Sequence, residues 1–192
     1  MTNHARLQVV RPVEPEPGVL VHTASDRRLA VEHWLLSTCE DRGYAREEWQ
    51  QHQVALLPLG GLFSAVRIPG RLVRGLAESH DPETVDEWLD QVLDGGPVIC
   101  DARGDRYYAL VPASMPRTWH QAADDWRTMD VDCLGRGSHL LVPRVDLVEY
   151  DSRLCRAYWS VPMSSAGILC ATLHVARLVA TARHHVPDEL EV

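Results

Sequence analysis

The chain has 192 residues, 45% of them hydrophobic and 24% charged, which is the composition of an ordinary globular domain. Its 27 acidic residues outnumber 19 basic ones, and the resulting net charge of −8 disfavours tight, sequence-independent binding to nucleic acid, which requires phosphate neutralisation. None of the basic residues is lysine, so the sequence excludes a lysine Schiff base and the lysine of a Walker phosphate loop.

The sequence also lacks the signals of a membrane or secreted protein. It has no run of 18 apolar residues and no apolar signal region near its start, so we expect a cytoplasmic protein without a membrane partner. Its five cysteines are scattered and form no C-x-x-C pair, which favours reduced thiols over disulfides or zinc. No H-E-x-x-H or comparable spacing predicts a metal site.

The first part of the chain is predicted to be an extension followed by helices. Alternating proline and glutamate within residues 1–24 predict an extended, mobile arm. Apolar spacing predicts a helix over residues 27–41, with Ser25 or Asp26 as its N-cap. A short helical segment over residues 46–52 leads into the first strand.

Two apolar runs then flank a pair of glycines. Residues 53–58 and 62–68 have strand composition, and Gly60 and Gly61 lie in the connection between them. This pattern predicts a β-hairpin. Because both runs are mostly apolar, we expect the hairpin to be central and covered on both faces.

Two helices follow the predicted hairpin. The first covers residues 69–76, and Arg67, Arg71 and Arg74 beside it form the strongest basic feature of the chain. The second begins with Asp81 as N-cap and a proline at its first position, and its apolar stripe is typical of a helix that packs on a core.

The remaining elements complete a sheet. Residues 97–101 and 106–111 are predicted to form a central hairpin around an Arg-Gly-Asp turn. Ser114 is predicted to cap a helix over residues 117–126. The last predicted elements are strands at 138–143 and 156–161 and a final helix capped by Ser164 or Ser165.

Together these elements predict the α+β class. We expect a single domain over residues 25–185, built on a mixed or antiparallel sheet flanked by helices, and a polar tail over residues 186–192.

One pair of carboxylates could carry chemistry. Asp130 and Asp132 alternate, so in an extended strand they would share one face, as two-metal nucleotidyl transfer requires. A solvated acidic pair before a turn is the alternative. Asp101 and Asp105, which flank the Arg-Gly-Asp triplet, are predicted to hold that turn instead of a metal ion.

Residues 53–162 resemble the N-terminal domain of bifunctional DNA primase–polymerases, of the archaeo-eukaryotic primase superfamily, and related short actinobacterial proteins. The resemblance implies an RRM-like sheet. Active members carry D-x-D at the end of an apolar strand, where LFSAVRIP has Arg67 and Pro69. They carry a histidine in G-x-H-x-Y-F…P, where GDRYYALVP has Arg106 but keeps Tyr108. Their third acid matches Asp132 in DCLGRGSHLLVP.

This resemblance implies a domain that has lost catalysis and acts by binding. An arginine at the first acid position repels a metal ion, so no cofactor is expected. The implied ligand site consists of Arg67, Arg106, Tyr108 and Asp132, with Arg71 or Arg74 at the rim. Its arginines could hold a nucleotide, a nucleic-acid end or an acidic partner segment. Alternatively, the arginines pair with neighbouring acids.

Two other functions stay open. The chain could be an active nucleotidyltransferase with a rearranged site, in which Asp130 and Asp132 bind Mg²⁺ or Mn²⁺. It could also be a regulatory or accessory module that docks on a protein partner, which its acidic charge and its Trp34 and Trp49 segments would suit.

Overall fold

The computed structural model describes residues 13–16, 19–21, 23–103, 105–151 and 157–185. The elements of this part of the chain, in order, are β1 (Val13–Glu16), β2 (Val19–Val21), α1 (Ala24–Leu36), α2 (Arg42–His52), β3 (Val54–Pro58), β4 (Phe63–Pro69), α3 (Gly70–Ala77), α4 (Pro82–Val92), β5 (Val98–Asp101), β6 (Arg106–Pro112), α5 (Met115–Thr118), α6 (His120–Trp126), β7 (Asp132–Leu134), β8 (His139–Pro143), β9 (Tyr158–Val161) and α7 (Thr172–His185).

The central sheet has five antiparallel strands in the order β7-β4-β6-β5-β9. Its first four strands in chain order, with α3 and α4 after β4 and α5 and α6 after β6, follow the split βαβ pattern of ferredoxin-like and RRM domains. The predicted fold class, an α+β protein with a mixed or antiparallel RRM-like sheet flanked by helices, is therefore confirmed, and the sheet is antiparallel. Strand β9 extends this sheet beyond β5.

A second sheet contains β3 and β8, which we call the ribbon. Val54 lies opposite Pro143 and Pro58 opposite His139 in an antiparallel register. The predicted hairpin between residues 53–58 and 62–68 is therefore wrong, because β4 pairs with β6 and β7 and β3 pairs with β8. The glycine-containing connection carries the chain from one sheet to the other.

Both faces of the central sheet are covered, because its strands alternate between two cores. Val66 and Ile68 of β4 pack with α3, α4 and α7 on one face. Phe63 and Ala65 of the same strand pack with α1, α2 and the ribbon on the other. The expectation that both strands of the predicted hairpin are central and covered on both faces is confirmed for β4. It is wrong for β3, which lies in the ribbon and has Leu56 52% exposed.

One predicted helix cap is confirmed and another is wrong. Asp81 accepts a hydrogen bond from the Thr84 backbone, with Pro82 in the first turn, as predicted. The first long helix instead begins at Ala24, because Thr23 is its N-cap and Asp26 returns the bond of a capping box.

Two other predicted caps differ from the structure. Ser114 occupies the N-cap position of α5 but makes no side-chain cap bond, and the predicted single helix is divided into α5 and α6. The final helix begins at Thr172, well after Ser164 and Ser165. The reason is tertiary, since the Cys170 N–H donates to the Leu110 carbonyl over 2.8 Å and holds this segment against the sheet.

The predicted N-terminal arm contains the hairpin of β1 and β2. The rest of the arm before Thr23, the centre of the Arg-Gly-Asp turn, and the predicted tail over residues 186–192 lie outside the described residues. Across the part that is described, no helix combines the length and the apolar character needed to cross a membrane.

Candidate functional site

A cleft of about 420 Å³ is lined by both sheets. We call it the ribbon cleft. Its walls come from the central sheet on one side and from the ribbon on the other, and a volume of this size is in the range of small-molecule sites. The lining residues are Leu56, Arg67, Asp101, Tyr108, Leu134, Ser138, His139, Leu140, Leu141 and Ala157.

Strand pairing brings three predicted site residues together beside this cleft. Arg67 on β4 lies directly opposite Tyr108 on β6 and opposite Asp132 on β7. Residues opposite each other in antiparallel strands share a face of the sheet. The arginine therefore lies between an aromatic ring and a carboxylate, and all three were predicted from the sequence.

Arg67 and Arg106 form a charge cluster with Asp130 and Asp132. Arg67 pairs with Asp132, and its Nη2 atom lies 3.8 Å from Asp130 Oδ1. The Nη2 atom of Arg106 donates to Asp130 Oδ2 over 2.9 Å. Two positive and two negative charges thus neutralise one another within the cluster.

The two aspartates reach Arg67 by a route that the D-x-D spacing does not predict. Asp130 is not extended; its φ of 62° places it in the left-handed region, at the end of a 3₁₀ turn. Asp132 lies in β7. The left-handed residue turns the chain into the strand, so both carboxylates converge on a guanidinium group.

One hydrogen-bond donor of Arg67 has no partner among the described residues. Its side chain is 35% exposed, yet its Nε atom is buried and has no hydrogen-bond partner in the described structure. Buried donors are usually satisfied, by protein or by a bound molecule. The guanidinium therefore has the capacity to bind one more acceptor while it holds Asp132.

Tyr108 supplies a partly buried aromatic ring. Burial, and then the nearby charge of Asp101, raise the pKa of its phenol, so the hydroxyl is neutral at physiological pH. A neutral phenol can donate or accept a hydrogen bond, and its ring offers a face for stacking. Asp101 itself accepts a hydrogen bond from the Arg103 backbone over 3.2 Å, as expected of a turn residue.

The other predicted arginines lie elsewhere. Arg74 makes two hydrogen bonds to Asp105, and this pairing lowers the pKa of the aspartate. Arg71 is exposed, and its Nη2 atom lies 3.4 Å from the Met129 carbonyl oxygen. Both line a separate depression beside α3, not the ribbon cleft.

Metal-binding and thiol chemistry find little support in the described residues. They contain no group of three or more His, Cys, Asp or Glu side chains that could hold a metal ion. The described cysteines are free thiols. Burial raises the pKa of Cys100 and Cys170 to about 12, which disfavours the reactive thiolate.

Sequence reasoning missed the ribbon side of the cleft and a buried carboxylate. Leu141 and His139 line the cleft because β8 pairs with β3, a partner about 85 positions away that no local signal identifies. Asp86 of α4 accepts hydrogen bonds from Tyr158 and Ser160, and burial raises its pKa to about 6. An acid within the apolar stripe of α4 is the signal that could have found it.

No family model, curated protein or solved structure matches this chain.

Proposed function

We propose that this chain is a catalytically inactive, primase–polymerase-like domain that binds a nucleotide or a nucleic-acid end in the ribbon cleft. The observation that carries the proposal is the position of Arg67, directly opposite both Tyr108 and Asp132. This arrangement combines a stacking surface with a guanidinium group and holds the carboxylate of Asp132 in an ion pair.

The charge cluster supports the absence of catalysis. Nucleotidyl transfer by two metal ions needs carboxylates that converge on the cations. Here Asp130 and Asp132 converge on Arg67, and Asp130 also holds Arg106. A divalent cation would have to displace two guanidinium groups that cannot lose their charge.

The cleft walls support a nucleotide as the ligand. Aromatic side chains and guanidinium planes stack on bases, and Tyr108 and Arg67 are neighbours on one wall. The buried Nε of Arg67 could donate to a base or phosphate oxygen. The RRM-like sheet and the resemblance in the sequence both agree with this ligand class.

Isothermal titration with AMP, dAMP and adenosine tests the proposal. We expect binding to the unaltered protein and a loss of affinity of about 5- to 160-fold in Tyr108→Leu, because base stacking contributes about 1–3 kcal/mol. Tyr44→Leu is the matched control, since Tyr44 is 62% exposed and does not line the cleft. Equal affinities of the two variants would contradict nucleotide binding in the ribbon cleft.

A primer-extension assay with Mg²⁺ or Mn²⁺ separately tests the proposal that the domain is catalytically inactive. We expect no extension product. Metal-dependent extension that Asp132→Ala abolishes would overturn inactivity and favour a nucleotidyltransferase that uses Asp130 and Asp132.

Docking on a protein is the second candidate function, and one observation favours it. Leu56 and Leu141 lie opposite each other on the ribbon and are 52% and 37% exposed. A contiguous exposed apolar patch can mark a site of protein–protein interaction. If no nucleotide binds, a stable complex that depends on this leucine pair and not on Tyr108 would assign the ribbon to a protein partner.

A further inference from the structure

A second depression, of about 740 Å³, lies at the opposite end of β4 and β6 from the charge cluster. It forms where three connections meet: β3 to β4, β6 to α5, and β7 to β8. We call it the arginine pocket, after Arg117 and Arg136 in its wall; Ser114 contributes a hydroxyl. None of its lining residues carries a carboxylate.

The two arginines differ from those of the charge cluster. Among the described residues, neither Arg117 nor Arg136 has an ion-pair partner, whereas Arg67 and Arg106 of the charge cluster each pair with an acid. Two arginines without an ion-pair partner thus line one depression in a chain of net charge −8. Arginines that line a common depression free of carboxylates are typical of a site for an anion.

The backbone that carries Arg136 is tightly held. The Gly60 N–H donates to the Phe63 carbonyl over 2.7 Å, and the Ser138 N–H donates to the Gly135 carbonyl over 3.0 Å. A side chain at Gly60 would come within 2.6 Å of the Arg136 Cα, so the two turns are packed backbone to backbone. Such rigidity reduces the entropy lost when a ligand binds.

The backbone that carries Arg117 is fixed in a similar way. Its N–H donates to the Ser114 carbonyl over 3.0 Å, and the Thr118 N–H donates to the same oxygen. Both arginines therefore extend from backbone positions that hydrogen bonds hold in place. Each offers a planar fork of N–H donors, and the Ser114 hydroxyl adds another donor.

We propose that the arginine pocket binds a phosphate group through Arg117 and Arg136. The turn over residues 135–138 separates this pocket from the ribbon cleft: Gly135 and Arg136 line the pocket, and Ser138 lines the cleft. A nucleic-acid strand with a base in the cleft would place its backbone beside this turn. That source of the phosphate rests on the proposed function; binding of the phosphate group itself does not.

The first test measures thermal protection by inorganic phosphate, compared with chloride at the same ionic strength. We expect phosphate to raise the melting temperature of the unaltered protein, because a ligand of the folded state stabilises it. Arg117→Gln/Arg136→Gln should lose this rise. Arg177→Gln/Arg183→Gln on α7 is the control, with the same change of charge on exposed residues outside the pocket, and should keep it.

The second test distinguishes free phosphate from a nucleic-acid strand. Affinity for a labelled five-nucleotide single strand is measured at several salt concentrations. If the strand supplies the phosphate, Arg117→Gln/Arg136→Gln should weaken binding at least tenfold and reduce the slope of log K against log salt by about 0.7 for each lost phosphate contact. An unchanged affinity for the strand, with phosphate protection lost, would assign the pocket to free phosphate.

Either of two results would overturn the proposal: phosphate fails to protect the unaltered protein, or it protects both double variants equally. The nucleotide proposal fails separately, because it depends on Tyr108 in the adenosine and AMP titrations. Failure of the phosphate test therefore does not decide the nucleotide proposal, and failure of the nucleotide test does not decide the phosphate proposal.

Discussion

The charge cluster and the arginine pocket lie at opposite ends of the same strands and use the same residue type in opposite ways. In the cluster, Arg67 and Arg106 neutralise Asp130 and Asp132. In the pocket, Arg117 and Arg136 have no ion-pair partner among the described residues, and no lining residue carries a carboxylate. The difference shows that the role of an arginine depends on the acids that the fold places around it, so a list of basic residues does not locate an anion site.

The largest effect is expected at the backbone contact that forms the arginine pocket. Gly60→Ala should lower the free energy of unfolding by about 2–4 kcal/mol, because Gly60 has a left-handed φ of 84° and its new Cβ would overlap the Arg136 backbone. Urea denaturation measures the loss.

Gly61→Ala is the control for this prediction. Nothing lies within 4 Å of a Cβ at that position. Its unfolding free energy should stay within about 0.5 kcal/mol of the unaltered protein. Similar losses in both variants would mean that the turn, and not the contact with Arg136, determines the effect.

Asp86 offers a contrast to the aspartates of the charge cluster, because it is partly buried and its partners are hydroxyl groups instead of arginines. Its folded pKa of about 6 exceeds the ordinary value of 3.8, and burial is the main cause. The protonated form is favoured on folding, so its stabilisation is complete below pH 3.8 and is lost as the pH rises through about 6. Lowering the pH from 7 to 5 should therefore raise the unfolding free energy by about 1 kcal/mol.

Asp86→Asn should flatten this dependence between pH 5 and 7, as measured by urea denaturation at each pH. Asp105 and Asp146, whose pKa values are lowered by arginine partners, act in the opposite direction but below pH 4. If the unfolding free energy of Asp86→Asn changes with pH between 5 and 7 as much as that of the unaltered protein, another group is responsible.

The smallest effect is expected for a single pair within the charge cluster. A double-mutant cycle with Arg106→Gln and Asp130→Asn should give a coupling energy of about 0.5–1 kcal/mol, because both side chains are partly exposed. The coupling should fall as salt is added.

The matched control is the same cycle on Arg127 and Asp124. This pair lies 2.9 Å apart but is about two-thirds exposed. It should couple more weakly than the cluster pair and respond more steeply to salt. Equal coupling in the two cycles would mean that the fold gives the cluster no special electrostatic role.

Only part of the candidate site could be predicted from the sequence. Arg67, Tyr108 and Asp132 lie together as the resemblance implied. Only Arg67 and Tyr108 belong to strands that the sequence predicted; strand β7, which carries Asp132, was not predicted. Arg71 and Arg74 were grouped with them by closeness in the sequence, but they follow β4 on a helix and face a different depression. No sequence pattern indicated the arginine pocket, since its two arginines are 19 positions apart and belong to separate connections.

The sequence by itself determined the class of the fold, the α4 cap at Asp81 and the pairing of β5 with β6, because each depends on neighbours within a few residues. The tertiary structure alone decided that β3 pairs with β8, and with it the ribbon cleft. The physical reason is that an apolar strand can pair with any apolar strand of similar length. The choice between β4 and β8 depends on which arrangement buries both faces of the central sheet, and that is a property of the whole chain.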